Sequence, residues 1–173
     1  QILDKTLMKE NPSKAVTFVD NHDTQPGQSL QSFVERWFKL PAYALILLRD
    51  EGYPCVFYGD YYGIPHDNVE PIKELETIIT LRKEKAYGKQ NDYFDNPNCI
   101  GWTREGDNEH IKSGLAVLIS NKNDTEKRMY IGKDYAGEKM LDAMGNCNEE
   151  VIIDGEGYGV FKVKAKSVSV WVM

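Results

Sequence analysis

The stretch AVTFVDNHDTQPGQ, residues 15–28, joins a short apolar run to a dense string of polar residues. The apolar run is rich in β-branched and aromatic side chains and has the length of a buried strand. The polar string holds three ionisable side chains, Asp20, His22 and Asp23, and ends in a Pro-Gly pair that favours a turn. In folds built from parallel strands, ligands bind beyond the carboxyl ends of the strands. The polar string is therefore predicted to hold a functional site.

Outward from this stretch, the first half of the chain repeats a strand-then-helix pattern. Apolar residues at helical spacing predict a helix over about residues 30–49, kinked or broken at Pro41, whose nitrogen cannot donate a hydrogen bond. A second buried strand is predicted over residues 54–58, and a further helix begins near Pro71 and ends at Gly88. This alternation is typical of parallel βα units. Two such units need neighbours at both sheet edges, so this half is predicted to be a slice of a larger α/β fold.

The second half changes to short strands separated by turn residues. Seven stretches qualify: 99–103, 115–119, 127–131, 139–141, 151–153, 160–163 and 167–172. In the last stretch, the serines are predicted to face outward while Val168, Val170 and Trp171 face inward. Strands at this spacing are typical of an antiparallel sandwich or barrel. The sequence therefore predicts an α/β part followed by an all-β part, with the change near residue 89.

Composition narrows the range of functions. The 173 residues include 27 acidic and 21 basic side chains, which gives a net charge of −6. An acidic chain without a basic cluster lacks the charge pattern of a nucleic-acid-binding protein, and the longest apolar run, residues 42–48, is too short to cross a bilayer. The three cysteines, Cys55, Cys99 and Cys147, form no CxxC motif, and their odd number favours a reducing compartment. We therefore expect no nucleic-acid or membrane partner, and we favour a cytoplasmic location.

The polar residues after the first strand allow several interpretations. Asp, Asn and His often form turns at such positions, because their side chains bond to nearby backbone groups. Asp23 and Asp60 each follow a predicted strand and are a candidate catalytic pair, for which a retaining glycosidase needs a carboxyl separation of about 5 Å. Asp20, His22 and Asp23 are also candidate metal ligands, although no further ligand follows at a recognised spacing. The residue pattern leaves these alternatives open.

The stretch 15–28 resembles the last of the short motifs shared by the α-amylase family, which are retaining glycoside hydrolases built on a TIM barrel. The resemblance continues in order along nearly the whole chain and is to the bacterial liquefying and cytoplasmic-type enzymes. It is carried by WFK at 37–39, GYPCVFYGD at 52–60, YFD at 93–95, GWTREGD at 101–107 and SVSVWV at 167–172. It implies that residues 1–88 are the last two βα units of the (β/α)8 barrel and that residues 89–173 are the C-terminal antiparallel Greek-key β-sandwich. Open edges of such a partial barrel are expected to promote self-association of the chain.

The resemblance also implies roles for two side chains. Asp23 matches the third catalytic carboxylate of the family, which hydrogen-bonds hydroxyl groups of the sugar being cleaved, and His22 matches the histidine that contacts the same sugar. The family's nucleophile and general acid come from two other barrel strands, whose motifs are absent from this sequence. The resemblance thus implies a parent α-amylase that hydrolyses internal α-1,4 bonds of starch or glycogen with retention, whereas the chain alone is expected to be inactive. A non-catalytic glucan-binding module and a purely structural segment are the alternatives.

No metal ligand is predicted in this chain. Family members often bind calcium, but the resemblance implies that those ligands lie outside these residues, which leaves calcium as a candidate cofactor of the parent protein. Where some relatives hold a further metal with acidic or histidine side chains, this sequence has Asn96-Pro97-Asn98, and amides are weaker ligands for a hard cation. Trp102 and Trp171 occupy alternating strand positions and are predicted to be core residues. Tyr61 and Tyr62 are left open as candidates for stacking on sugar rings.

Overall fold

The computed structural model describes residues 2–173, and its first half is built around two short parallel strands. The helices and strands of this half are α1 (Leu7–Glu10), β1 (Val16–Phe18), α2 (Arg36–Leu47), β2 (Tyr53–Cys55), α3 (Tyr58–Tyr62) and α4 (Leu75–Lys85). β1 and β2 pair in parallel, with Val16 opposite Tyr53 and Phe18 opposite Cys55. The predicted order of strand, helix, strand and helix is present. Of the helices in the described residues, none combines the length and apolar character that a membrane-spanning helix needs.

Helix α2 starts later than predicted and continues where a kink or break was predicted. Residues 30–35 are not helical, and the backbone N–H of Val34 donates to the side chain of Asp20 instead. Pro41 lies inside the helix without ending it. Residues 43–48 are all buried, so packing against the core outweighs the one hydrogen bond that proline cannot make. Tertiary contacts therefore decide both the start and the continuity of this helix.

Further boundaries differ from the prediction. β2 ends at Cys55 instead of reaching Tyr58, because the carbonyl of Phe57 accepts hydrogen bonds from the following turn and starts α3. α4 begins at Leu75, later than predicted. It ends at Lys85 with Ala86 as its C-cap, so Gly88 does not end the helix as predicted. Gly88 has a φ of +79°, and a Cβ there would lie 1.9 Å from a carbonyl oxygen of the neighbouring loop. Only glycine fits at this position.

The second half forms two antiparallel sheets that pack against each other. Its strands are β3 (Gln90–Asn96), β4 (Cys99–Arg104), β5 (Leu115–Ser120), β6 (Thr125–Tyr130), β7 (Lys139–Asp142), β8 (Val151–Ile152), β9 (Tyr158–Val163) and β10 (Ser167–Val172). The six-stranded sheet has the order β3-β4-β5-β10-β7-β8, and β6 pairs with β9 in the second sheet. All seven predicted strands are present. β3 was not predicted, because its sequence QNDYFDN has no alternation of apolar and polar residues.

The central strands of the six-stranded sheet, β4, β5 and β10, are buried on both faces. On one face, Val168 and Val170 of β10 join a cluster that includes the buried residues of α2. On the other face, Trp171 belongs to the core between the two sheets, and Ser169 is fully buried and donates a hydrogen bond to the Lys162 carbonyl at 2.6 Å. The prediction that the serines face outward is wrong for Ser169, because the second sheet covers this face. Trp171 lies on the opposite side from Val168 and Val170 because successive side chains of a strand point to opposite faces.

Arg49 joins the end of α2 to the large sheet. Its side chain is fully buried and donates two hydrogen bonds to the Asp92 carboxylate on β3, at 2.8 and 2.9 Å, and one to Glu51 at 2.9 Å. The rings of Phe94 and Trp102 flank the guanidinium at 5.1 and 5.5 Å from their centroids. Burial disfavours the charged form, but the Asp92 and Glu51 carboxylates outweigh it and raise the pKa of Arg49. The helices and the sheet are thus connected by a buried, fully charged group.

Removing this cation should weaken the contact between the helices and the sheet. We expect Arg49→Met to lower the free energy of unfolding by about 3 kcal/mol, because Asp92 then loses its buried partner. The control Arg128→Met removes an arginine whose ion pair with Asp154 is about half exposed, and we expect a loss of about 1 kcal/mol. Urea unfolding followed by circular dichroism gives both values. Equal losses for the two variants would contradict a special role for Arg49.

Candidate functional site

The first ionisable residue after β1 points into the protein. Asp20 is buried, and its Oδ1 accepts a hydrogen bond from the backbone N–H of Val34 at 3.0 Å. Its Oδ2 lies 2.7 Å from Nζ of Lys39 on α2. The Asp20 carboxylate is therefore committed to holding the loop that follows β1, and it does not share a site with His22 and Asp23. The hypothesis that these three residues bind a metal is wrong.

Asp60, which follows β2, is also buried and paired. Its Oδ1 accepts a hydrogen bond from Lys39, and its Oδ2 accepts one from the hydroxyl of Tyr43 at 2.6 Å. Burial and the hydrogen bond to Asp60 raise the pKa of Tyr43 far above its ordinary value, so this hydroxyl stays protonated and remains a donor. With both oxygens engaged and no exposed surface, Asp60 is not available to form a catalytic pair with Asp23. That hypothesis is wrong as well.

The turn after Asp20 is organised by Asn21. Its side-chain oxygen accepts hydrogen bonds from the backbone N–H of Asp23 at 2.9 Å and of Thr24 at 3.0 Å. The Thr24 hydroxyl accepts in turn from the N–H of Asn21 at 3.2 Å. The turn-forming interpretation of this polar string therefore holds for Asn21 and Thr24. The side chains of His22 and Asp23 make none of these turn-forming hydrogen bonds.

His22 and Asp23 are presented together to solvent. Their side chains are 85% and 58% exposed, and Nε2 of His22 lies 3.3 Å from Oδ1 of Asp23. A carboxylate that accepts and an imidazole that donates or accepts are suited to bind vicinal hydroxyl groups of a sugar. The structure therefore brings the two predicted site residues together, beyond the carboxyl end of β1.

A second contact fixes the outer part of the loop. The amide of Gln25 donates to Oδ2 of Asp67 at 2.7 Å, and the same oxygen lies 3.3 Å from Nε2 of His66. Gln25 is buried, whereas His66 is largely exposed. Neither His66 nor Asp67 was singled out from the sequence, because a His-Asp pair in a short loop carries no distinctive spacing. The loop after β1 is thus tied to the segment that follows α3.

Aromatic side chains divide into a core set and an exposed set. Trp102 and Trp171 are fully buried, so the prediction that they are core residues is confirmed. The rings of Tyr58 and Tyr62 lie 4.8 Å apart and both side chains are exposed, and Tyr61 packs edge-on to Tyr62 at 4.7 Å. α3 therefore presents a small aromatic surface after β2.

Lys39 and Tyr43 were missed as partners of the two buried carboxylates. They lie four residues apart on α2, on the same side of a helix whose remaining buried residues are apolar. A lysine and a tyrosine at this spacing on an apolar helix face are a usable signal, because such groups are buried only when they are paired.

The polar side chains of the β3–β4 turn are engaged within the turn and with Lys127. Asn96 uses its side-chain oxygen to accept from the backbone N–H of Asn98 at 2.8 Å. Asp95 is paired with Lys127, and this hydrogen bond lowers the pKa of its carboxyl group. Within residues 2–173, no three His, Cys, Asp or Glu side chains are grouped so that they could hold a metal.

The order of the turn after β1 should depend on the Asn21 side chain. We expect Asn21→Ala to speed hydrogen exchange of the Asp23 and Thr24 amides and to cost about 1 kcal/mol of stability, because two backbone donors lose their acceptor. The control Asn96→Ala removes a similar side-chain cap in the β3–β4 turn and should leave the Asp23 and Thr24 amides unchanged. Exchange measured by NMR tests both variants, and unchanged exchange in Asn21→Ala would contradict the role of this side chain.

Comparisons with known proteins agree with these features. Residues 115–172 match the family model described as Alpha-amylase C-terminal. An alpha-amylase of Geobacillus stearothermophilus is 54% identical over 172 residues, which is 99% of this chain and 31% of that protein. An alpha-amylase of Bacillus licheniformis is 52% identical over 99% of this chain and 34% of its own length. The cytoplasmic alpha-amylase of Escherichia coli is 42% identical over 100% of this chain and 37% of its own length. The chain thus spans about one third of the length of these relatives.

Solved structures share the fold at lower sequence identity. Alpha-amylase I from Eisenia fetida superposes with a TM-score of 0.65 at 17% identity, over 92% of this chain and 41% of that structure. The gamma-CGTase from alkalophilic Bacillus clarkii gives a TM-score of 0.62 at 21% identity, over 95% of this chain and 27% of that structure. The resemblance inferred from the sequence is therefore confirmed: the chain is similar over nearly its whole length to bacterial α-amylases, and residues 115–172 match the model of their C-terminal domain.

Proposed function

We propose that this chain is part of an α-amylase that hydrolyses internal α-1,4 bonds of starch or glycogen with retention. Under this proposal, the residues up to 88 are the last two βα units of a TIM barrel, and residues 89–173 are the C-terminal Greek-key β-sandwich. The parallel pairing of β1 with β2, with α2 between them in the chain, supports the first part. The all-antiparallel second half and the match over residues 115–172 support the second part.

The exposed pair of His22 and Asp23 is the observation that carries this proposal. Asp23 accepts hydrogen bonds from hydroxyl groups of the sugar ring at the bond being cleaved, and His22 contacts the same ring. Such bonds accelerate the reaction only if they strengthen as the ring distorts towards the oxocarbenium-like transition state, where they supply several kcal/mol. The turn beneath the pair supports this role, because its hydrogen bonds hold the backbone from which the carboxylate projects, so less freedom is lost on binding.

The chain alone supplies binding but no complete catalytic set. A retaining glycosidase needs a nucleophile and a general acid in addition to a carboxylate in the role of Asp23. Asp20 and Asp60, the carboxylates nearest in sequence to the ends of β1 and β2, are both buried and paired with Lys39. We infer that the parent protein supplies the nucleophile and the general acid from residues outside these 173. Any calcium ligands of the parent protein would also come from residues outside them.

A glucan-binding module without catalysis is the second candidate function. The exposed rings of Tyr58 and Tyr62 favour it, because sugar rings stack on exposed aromatic side chains.

A cytoplasmic location is also proposed. It is supported by the three free cysteines and by the 42% identity to the cytoplasmic alpha-amylase of Escherichia coli.

The chain should bind maltooligosaccharides without releasing reducing sugar. We expect maltoheptaose to shift the NMR signals of the His22 ring, because this ring would contact the sugar, while incubation with starch yields no reducing ends. Turnover by the purified chain would contradict the expected inactivity. Titration without any shift at His22 or at the tyrosines of α3 would favour a purely structural segment.

Matched variants test which residues bind maltoheptaose. His22→Ala and Asp23→Ala should weaken maltoheptaose binding about tenfold each, since each removes hydrogen bonds to the sugar. The control His110→Ala acts on another surface His-Asp pair, in which Nδ1 of His110 lies 2.8 Å from Oδ1 of Asp107, and it should leave the affinity unchanged. An unaltered affinity in Asp23→Ala, with Tyr62→Ala reducing it, would favour the glucan-binding module.

Self-association of the chain is a further part of the proposal. β1 and β2 form a sheet of two strands only, and the side chains of Val16, Phe18 and Tyr53 are exposed on it. We expect static light scattering to report dimers or larger species, because unpaired strand edges and apolar side chains favour association. Val16→Lys should reduce the average mass, whereas Ile111→Lys, at an exposed loop position, should not. A monomer at all concentrations would contradict this expectation.

A further inference from the structure

A buried charge cluster connects the ends of β1 and β2. It consists of Asp20, Lys39, Tyr43 and Asp60 and is called here the Lys39 cluster. The ammonium group of Lys39 contacts both carboxylates, and the side chains of the two aspartates and the lysine are at least nine-tenths buried. We propose that Lys39 is a positioning residue, which fixes the base of the loop over residues 20–34 and thereby orients His22 and Asp23. Its consequence for sugar binding rests on the proposed function.

The loop begins and ends on one carboxylate. The chain leaves β1 at Asp20 and returns to α2 after Val34, whose backbone N–H donates to Oδ1 of Asp20 at 3.0 Å. The other oxygen, Oδ2, has no hydrogen-bond partner in the described chain apart from its ion pair with Lys39. Without Lys39 nothing else holds this oxygen, so the carboxylate is free to rotate and to release Val34. A rotation of Asp20 would disturb both ends of the loop at once.

Asp60, the second carboxylate beside Lys39, has more hydrogen-bond partners than Asp20. Asp60 receives hydrogen bonds from Lys39 and from Tyr43, and its backbone carbonyl accepts from the N–H of Ile72 at 2.8 Å. The Tyr43 hydroxyl also accepts from the N–H of Phe57 at 3.3 Å. Asp60 is therefore the fixed point of the cluster, and Lys39 transmits its position to Asp20.

Stability alone is a weak reason for this cluster. Apolar residues of similar volume often replace a buried ion pair without loss of stability, because desolvation offsets most of the attraction. Here two carboxylates share one ammonium group, which leaves a buried excess of negative charge. What the cluster does provide is a defined direction for Asp20, which immediately precedes the turn of Asn21 to Thr24. This is the arrangement expected of a positioning group.

The test compares the loop with the rest of the chain. In Lys39→Met, we expect hydrogen exchange of the Val34 and Thr24 amides to rise about tenfold relative to the amides of β4 and β5, and the His22 ring signals to shift. Lys39→Arg keeps the cation and should restore most of the protection. Arg49→Met removes another buried cation, whose partners Glu51 and Asp92 take no part in the Lys39 cluster, and should leave the relative exchange of Val34 and Thr24 unchanged.

The outcomes separate this inference from the proposed function. Unchanged loop exchange in a folded Lys39→Met variant, or an equal loop effect in Arg49→Met, would overturn the positioning role. If Lys39→Met does not fold, Asp20→Asn keeps an oxygen for Val34 and removes the ion pair, and the same criteria apply to it. Maltoheptaose titration of the unaltered chain tests the proposed function separately. A failure to shift His22 there would refute sugar binding while leaving the exchange result to decide on Lys39.

Discussion

The contact of one lysine with two buried carboxylates governs the arrangement of the first half of the chain. Lys39 lies on α2, Asp20 follows β1 and Asp60 follows β2, so a single ammonium group ties the connecting helix to both strand ends. These strands are only three residues long each and offer few ladder hydrogen bonds of their own. A pair of such strands is marginal by itself. The buried charges therefore supply the fixed geometry that the short sheet cannot.

The second half gives the helices a surface to pack against. Its six-stranded sheet is covered on one face by α2 and α4 and on the other by the pair of β6 and β9. Arg49 reaches from the end of α2 to Asp92 on β3, and Trp102 donates from its ring nitrogen to the Leu48 carbonyl at 3.2 Å. The second half in this arrangement contributes to the core against which α2 packs. Residues that are distant from the candidate site thus hold the C-terminal end of α2, whereas Lys39 holds the loop that follows β1.

The strands of the second half were predictable because each shows an apolar or alternating run bounded by turn residues. β3 was not, since its polar sequence shows no such run and its place in the sheet comes from backbone pairing with β4. The start of α2 was predicted too early for a related reason. Helical spacing continues back to Leu30, but Val34 gives its backbone N–H to Asp20, a residue that local periodicity does not take into account. Local patterns find elements, whereas contacts between distant residues set their limits.

The sequence by itself determined the relationship to α-amylases, the order of the elements, and the position of a polar string directly after a buried strand. Through the resemblance it also predicted His22 and Asp23 as site residues, and it left Asp20, Asp60, Tyr61 and Tyr62 as further candidates. Only the tertiary structure decided which aspartate turns inward and which faces solvent. The two carboxylates are chemically identical and three residues apart, and what distinguishes them is Lys39, which α2 brings beside Asp20. A buried carboxylate needs hydrogen-bond donors or a partner of opposite charge, and the position of such a partner is a property of the fold.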